Sequence, residues 1–270
     1  MKITIKDVSI CEQCNHKTCA ISDVVDRLLF ARFRTERYVC PVRYLKTAPT
    51  PEQLESGRID IVCKSDESTE RCFHCGLCAL KCSNTNLSID DDGGDLFGEY
   101  IENCGAQNEG AANILATSYL DLLFDFSANT NLNKSMLFDG IVCDSKGNCA
   151  FVETDGADDS LESCRRLLSD LIQHNFKNPD TKIKSGIMVL KSLPKSGSRD
   201  VYTLSQKMSQ FPGTSAYSIY VVTFEILRAL ARVCNKGQLG YADILFAIAR
   251  ESVDDYKKRV EQLTGVTIKC

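Results

Sequence analysis

The segment Cys72-Phe-His-Cys75-Gly-Leu-Cys78-Ala-Leu-Lys-Cys82 constrains this chain more than any other. Its C-x2-C-x2-C-x3-C spacing suits a [4Fe–4S] cubane. Three thiolates wrap one cluster in a tight loop, where Gly76 permits a close backbone approach, and the fourth begins a helix that leads to a second cluster. A zinc site needs only four ligands and usually divides them into two separated pairs. Nine of the 15 cysteines lie between Cys11 and Cys82, so the ligand-rich part of the chain is its first third. Cys63 falls on a predicted strand and reads as a small buried residue. The six later cysteines, Cys104, Cys143, Cys149, Cys164, Cys234 and Cys270, are scattered and read the same way.

Composition sets the class. With 270 residues, 43% of them hydrophobic and 25% charged, the chain has enough apolar material for a core and is not of disordered type. One large domain or two smaller ones fit that length. No apolar run approaches the ~18–20 residues of a membrane-spanning helix. The opening Met-Lys-Ile-Thr-Ile-Lys alternates like a strand and lacks the apolar core of a secretion signal. These features predict a cytoplasmic protein with no membrane partner. An odd number of cysteines without an export signal favours metal ligation over a disulfide framework.

The run Asp90-Asp91-Asp92-Gly93-Gly94-Asp95 marks a change in cysteine density. It predicts a first domain over residues 1–92, a linker over 93–107 and a second domain over 108–270. In the first, Ile3 and Ile5 alternate in a strand leading to Cys11, residues 23–38 form a helix, and 58–62 form a second strand. In the second, a helix over 111–126 precedes two strands, 137–143 and 149–153, joined by the turn residues 144–148. A helix over 160–174, strands over 185–190 and 216–222, a helix through Arg232 and a helical tail over 241–263 follow. The expected class is α+β or α/β, a small iron–sulfur domain before a mixed sheet flanked by helices.

The hairpin carries a second signal. Asp139 opens one strand, while Glu153 and Asp155 close the next, two residues apart and therefore on one face. Across an antiparallel pair Asp139 reaches that face. Three converging carboxylates repel one another unless a divalent cation neutralises them, and hard oxygen ligands suit Mg²⁺ or Mn²⁺. Such a site activates water for phosphodiester hydrolysis. The same residues also read as turn and strand-end chemistry. Between Lys177 and Lys207, seven basic residues against two acids form a stretch that either neutralises phosphates or makes a solvated face. His174, ending a helix, is accounted for by the helix dipole.

Two family resemblances add to these readings. Cys11-x2-Cys14-x4-Cys19, Cys40-Pro41 and the Cys72–Cys82 run together resemble a two-cluster bacterial-type ferredoxin domain. That resemblance implies two [4Fe–4S] clusters, one held by Cys11, Cys14, Cys19 and Cys82, the other by Cys72, Cys75, Cys78 and Cys40. Residues 108–230 resemble the core of the PD-(D/E)XK nucleases, whose pattern is an Asp, a turn, then Glu-x-Lys, with a helix on either side. By that resemblance the second domain is restriction-endonuclease-like. Asp139, Glu153 and Asp155 are then catalytic and hold the metal, and Lys191 or Lys184 supplies the cation that the family places where Asp155 stands. Glu109 is a further acid near the start of the preceding helix.

Together these expectations describe a metal-dependent DNA endonuclease of prokaryotic restriction, defence or repair, whose clusters are structural or redox-regulating. DNA and a redox or defence-system protein are its expected partners. The alternative is a ferredoxin-like electron-transfer protein whose second domain is catalytically dead and docks a partner.

Overall fold

The structure is a computed structural model, and it describes residues 2–5, 58–60, 75–80, 87–89, 97–98, 101, 109–128, 138–155, 160–193, 217–238, 240, 243, 245–247 and 251–268. The chain divides into two compact units, Met1–Ile114 and Leu115–Cys270. The helix expected over 23–38 lies outside the described residues, as do Cys11, Cys14, Cys19, Cys40, Cys72 and Cys82.

In the first unit, β1 (Lys2–Ile5), β2 (Arg58–Asp60) and β3 (Leu87–Ile89) form an antiparallel sheet in the order β2-β1-β3. The alternation at Ile3 and Ile5 thus marks a strand, and that strand is the central one. A short helix, α1 (Leu77–Leu80), starts just after Gly76, whose φ of 80° suits glycine and whose carbonyl accepts the Ala79 and Leu80 amides. Cys75 and Leu77 are buried there.

The second unit is a mixed α/β fold. Helix α2 (Glu109–Leu123), which begins before the unit boundary at Leu115, is followed by β4 (Asp125–Ala128), β5 (Gly140–Cys143), β6 (Cys149–Asp155), α3 (Ser160–Lys177), β7 (Ser185–Leu190) and β8 (Ser218–Thr223). Helix α4 (Phe224–Val233), the two-residue β9 (Phe246–Ala247) and α5 (Val253–Thr264) complete the order. The sheet runs β4-β5-β6-β7-β8-β9, antiparallel from β4 to β6, parallel from β6 to β8, and antiparallel again at β9. Parallel strands need both faces covered, and β7 and β8 accordingly bury every residue but the first.

Two expected helices are corrected. Phe126 belongs to β4, not to the preceding helix, because residues 125–128 pair with β5. That pairing needs Gly140: a Cβ there would stand 2.4 Å from the Phe126 ring and 2.8 Å from the Ser127 carbonyl oxygen. The tail is not one helix from residue 241, since β9 adds to the sheet edge and α5 begins only after Ser252, whose hydroxyl caps it at the Asp255 amide. The strand over 185–190 and the helix starting at Ser160 stand where the periodicity places them.

Candidate functional site

The β5–β6 hairpin is built by its turn. The Asp144 amide donates to the Asn148 carbonyl at 2.9 Å, and Asp144 Oδ1 accepts from the amides of Lys146 and Asn148 at 3.0 and 2.9 Å. Gly147, at φ 80°, completes a turn that other residues rarely adopt. Asp139 stands just before β5. Its amide donates to the Val152 carbonyl at 2.9 Å, and its Oδ2 accepts the Thr154 amide at 2.7 Å. Beside it Phe138 stacks on Phe151 with ring centroids 4.1 Å apart. The backbone of β6 therefore holds Asp139 next to Glu153.

Glu153 and Asp155 do share one face of β6, and that face lies under α3. The helix runs antiparallel to the strand and meets it through a stripe spaced three or four residues apart. Ser163 Oγ donates to Asp155 Oδ2 at 2.7 Å. Arg166 Nε donates to Glu153 Oε1 at 2.7 Å, with a second contact from Nη2 to the same oxygen. His174 packs edge-on against Phe151 at 5.1 Å. Leu167 rests on Gly186 of β7, where a Cβ would meet Leu167 Cδ2 at 2.7 Å, so the helix can only come this close over glycine.

Glu153 is 2% exposed, and its Oε2 is buried with no hydrogen-bond partner. Burial first, and then the charge of Asp139, push its carboxyl from the ordinary 4.5 up to about 8; buried Asp170 adds to this, and Arg166 opposes it without reversing it. The site is thus an acid whose one oxygen is clamped by a guanidinium and whose other oxygen is unmet. Arg166 itself is 43% exposed, so the pair borders solvent.

The expected residues are brought together in part. Asp139 and Glu153 interact electrostatically, while Asp155 is turned to Ser163. Among the described residues no group of three or more His, Cys, Asp or Glu is assembled to hold a metal ion. Glu153 with Asp139 nonetheless fits a hard cation, because an unpartnered buried carboxylate oxygen beside a second carboxylate is the donor set such an ion takes. Lys191 follows directly after Leu190, which pairs with Asp155 in the parallel register. Lys184 is corrected: it precedes Ser185, the partner of Ala150, and so sits at the far end of β7 from Asp155. Glu109 is the first residue of α2.

Arg166, Ser163 and Asp170 were not among the expected site residues. Their signal was present as polar residues on the same helical stripe as Leu167 and Leu171, where each needs a partner across the interface. His174 is also more than a helix end: it is buried, and its Nε2 lies 3.2 Å from the Thr181 carbonyl oxygen. Cys143 and Cys149 are corrected from isolated buried thiols to a disulfide that joins β5 to β6.

In the first unit, Cys75 is buried and Cys78 lies on α1, both within the Cys72–Cys82 run. Among the described residues no helix is long and apolar enough to cross a membrane. No protein-family model matches the chain, and neither a curated protein nor a solved structure matches it.

Proposed function

We propose that this chain is a metal-dependent DNA endonuclease of prokaryotic restriction, defence or repair, acting in the cytoplasm and carrying two [4Fe–4S] clusters on its N-terminal cysteines. The observation that carries this reading is the buried, unpartnered Oε2 of Glu153 beside Asp139 at the open end of a hairpin. Mg²⁺ keeps several waters and is commonly bound by one or two carboxylates together with substrate phosphate. Glu153 and Asp139 would hold such an ion, which polarises a phosphodiester and lowers the pKa of bound water. Arg166 fixes Glu153 through one oxygen, and the other would be the one to hold a cation. Its partly exposed guanidinium also supplies positive charge near the phosphate, a role the sequence gives to Lys191. Asp155 acts through Ser163 and anchors the first turn of α3.

The element order supports the nuclease resemblance, since a helix precedes the hairpin and another follows it before a parallel strand. The first unit supports the cluster assignment in the same way. Ile5, the last residue of β1, pairs with Leu87, the first of β3. The chain leaves toward Cys11 and arrives from Cys82 at that same end of the sheet, six and five residues away. These are the two cysteines that the ferredoxin resemblance assigns to one cluster.

Anaerobically purified protein, incubated with plasmid and Mg²⁺, Mn²⁺ or EDTA, tests the reading beside Glu153→Gln and Asp139→Asn. Metal-dependent nicking that each substitution reduces at least ~100-fold is the expected result. About eight iron and eight sulfide per chain is the expected cofactor content. A second reading rests on the engagement of Glu153 and Asp155 by Arg166 and Ser163, which occupies one oxygen of each carboxylate. Full clusters, reversible one-electron chemistry and no cleavage of any DNA would replace the nuclease with an electron carrier.

A further inference from the structure

The turn that joins β5 to β6 carries a second chemistry. Cys143 and Cys149 are directly opposed in the antiparallel register and are joined as a disulfide. Both are half-buried, whereas the other cysteines whose side chains are described, Cys75, Cys164 and Cys234, are buried. Burial pushes the Cys164 thiol up to about 12, so it is a poor nucleophile for exchange. Among the described cysteines of this unit, the disulfide pair is therefore less covered than Cys164 and Cys234.

A disulfide in this position is poorly explained as a staple. The loop it closes is short, and loop-closure stabilisation grows with length. The turn already closes without it, through the Asp144 amide on the Asn148 carbonyl, the Gly147 amide on the Asp144 carbonyl, and the Asp144 carboxylate on the Lys146 and Asn148 amides. What the bond adds is a covalent lock on the strand pair beyond the turn. Cys143 is four residues from Asp139 along one strand, and Cys149 is four residues from Glu153 along the other.

We propose that Cys143–Cys149 is a thiol–disulfide switch, opened by a dithiol reductant, that sets how readily β5 separates from β6. A thiolate of the reductant attacks one sulfur, forming a mixed disulfide and releasing the other cysteine as a thiolate that takes up a proton. The second thiol of the reductant then attacks the mixed disulfide, frees the remaining cysteine and leaves as a cyclic disulfide. Two electrons and two protons pass to the protein, and the reductant is oxidised by the same amount. The inference concerns the hairpin itself and stands whether or not Glu153 serves a nuclease.

The full-length protein is treated under native conditions with dithiothreitol, alkylated, and digested with trypsin, which cuts at Lys146 between the two cysteines. Without reductant the peptides holding Cys143 and Cys149 are expected as one linked species. With it they are expected as two alkylated peptides, with Cys164 unmodified, and oxidised dithiothreitol restores the link. Hydrogen exchange at residues 140–143 is expected to become about tenfold faster on reduction. The Cys143→Ser/Cys149→Ser protein should show the fast rate and no response to dithiothreitol. A link that survives excess dithiothreitol in the folded protein would make the bond a staple. Two free thiols in the untreated protein, or reduction with unchanged exchange, would equally overturn the proposal.

Discussion

Replacing Glu153 by glutamine isolates the ionisation of one buried carboxyl, and its effect on stability has a sign fixed by the site. In the unfolded chain Glu153 titrates near 4.5, whereas in the folded protein it is pushed up to about 8. Between those values the folded state binds one proton that the unfolded state does not. Stability must therefore fall as pH rises, with a slope near 1.36 kcal/mol per pH unit from this residue alone. The contribution is constant below about pH 4.5, where both states are protonated, and levels off again above about pH 8. Across the full interval the loss is on the order of 5 kcal/mol, and at pH 7 it is about 3. Burial justifies the conversion, because the side chain is only 3% exposed. Glutamine keeps the shape and a donor–acceptor head while removing the titration. Urea denaturation of both proteins from pH 5 to 8.5, in EDTA, gives the comparison. Glu153→Gln is expected to gain on the wild type steadily with pH, reaching several kcal/mol at the alkaline end. Parallel curves would refute the reasoning, since they would mean that Arg166 keeps Glu153 ionised throughout.

The other predictions address its neighbours. Arg166→Ala should be nearly neutral at pH 5.5, where Glu153 is protonated, and should cost roughly 1–3 kcal/mol at pH 8, where a buried charge loses its partner; the salt bridge is partly exposed, hence the lower bound. Denaturation at the two pH values reads the difference directly. Ser163→Ala removes the hydroxyl from Asp155 Oδ2 and should cost about 1–2 kcal/mol, visible as a shift in urea midpoint without a change in slope. Gly186→Ala drives a Cβ to within 2.7 Å of Leu167 and should destabilise by about 1–3 kcal/mol; pairing it with Leu167→Ala should recover part of that loss if the clash is the cause. Thr223→Ala removes the oxygen that accepts the Ile226 amide at the start of α4, and about 1 kcal/mol should go with it, measured by the same unfolding curves.

Much of the second unit was legible because its signals are local. Alternation and turn chemistry determine the β5–β6 hairpin, since Asp144 and Gly147 favour that turn wherever it occurs. Helical spacing determines α3, and a continuous apolar run determines β7. The pairing of Cys143 with Cys149 was missed, because they were read as scattered buried thiols although the predicted strands place them opposite one another. Local signals failed at β4, where Phe126 continues the apolar spacing of α2 but gains more from pairing over Gly140. They failed again at β9, which is too short to have a period and exists only because β8 offers an edge.

By itself the sequence determined that Glu153 and Asp155 share a face and that Asp139 lies across from them, because strand geometry fixes the direction of successive side chains. It also determined the spacing of the N-terminal cysteines. Only the tertiary structure decided what covers that face. The parallel register of β6 and β7 brings α3 down over it, and the register carries Lys184 to the wrong end while delivering Arg166 to Glu153. A side chain's direction follows from its own backbone, but its partner and its pKa depend on which distant segment excludes water from it, and that is settled only when the layers pack.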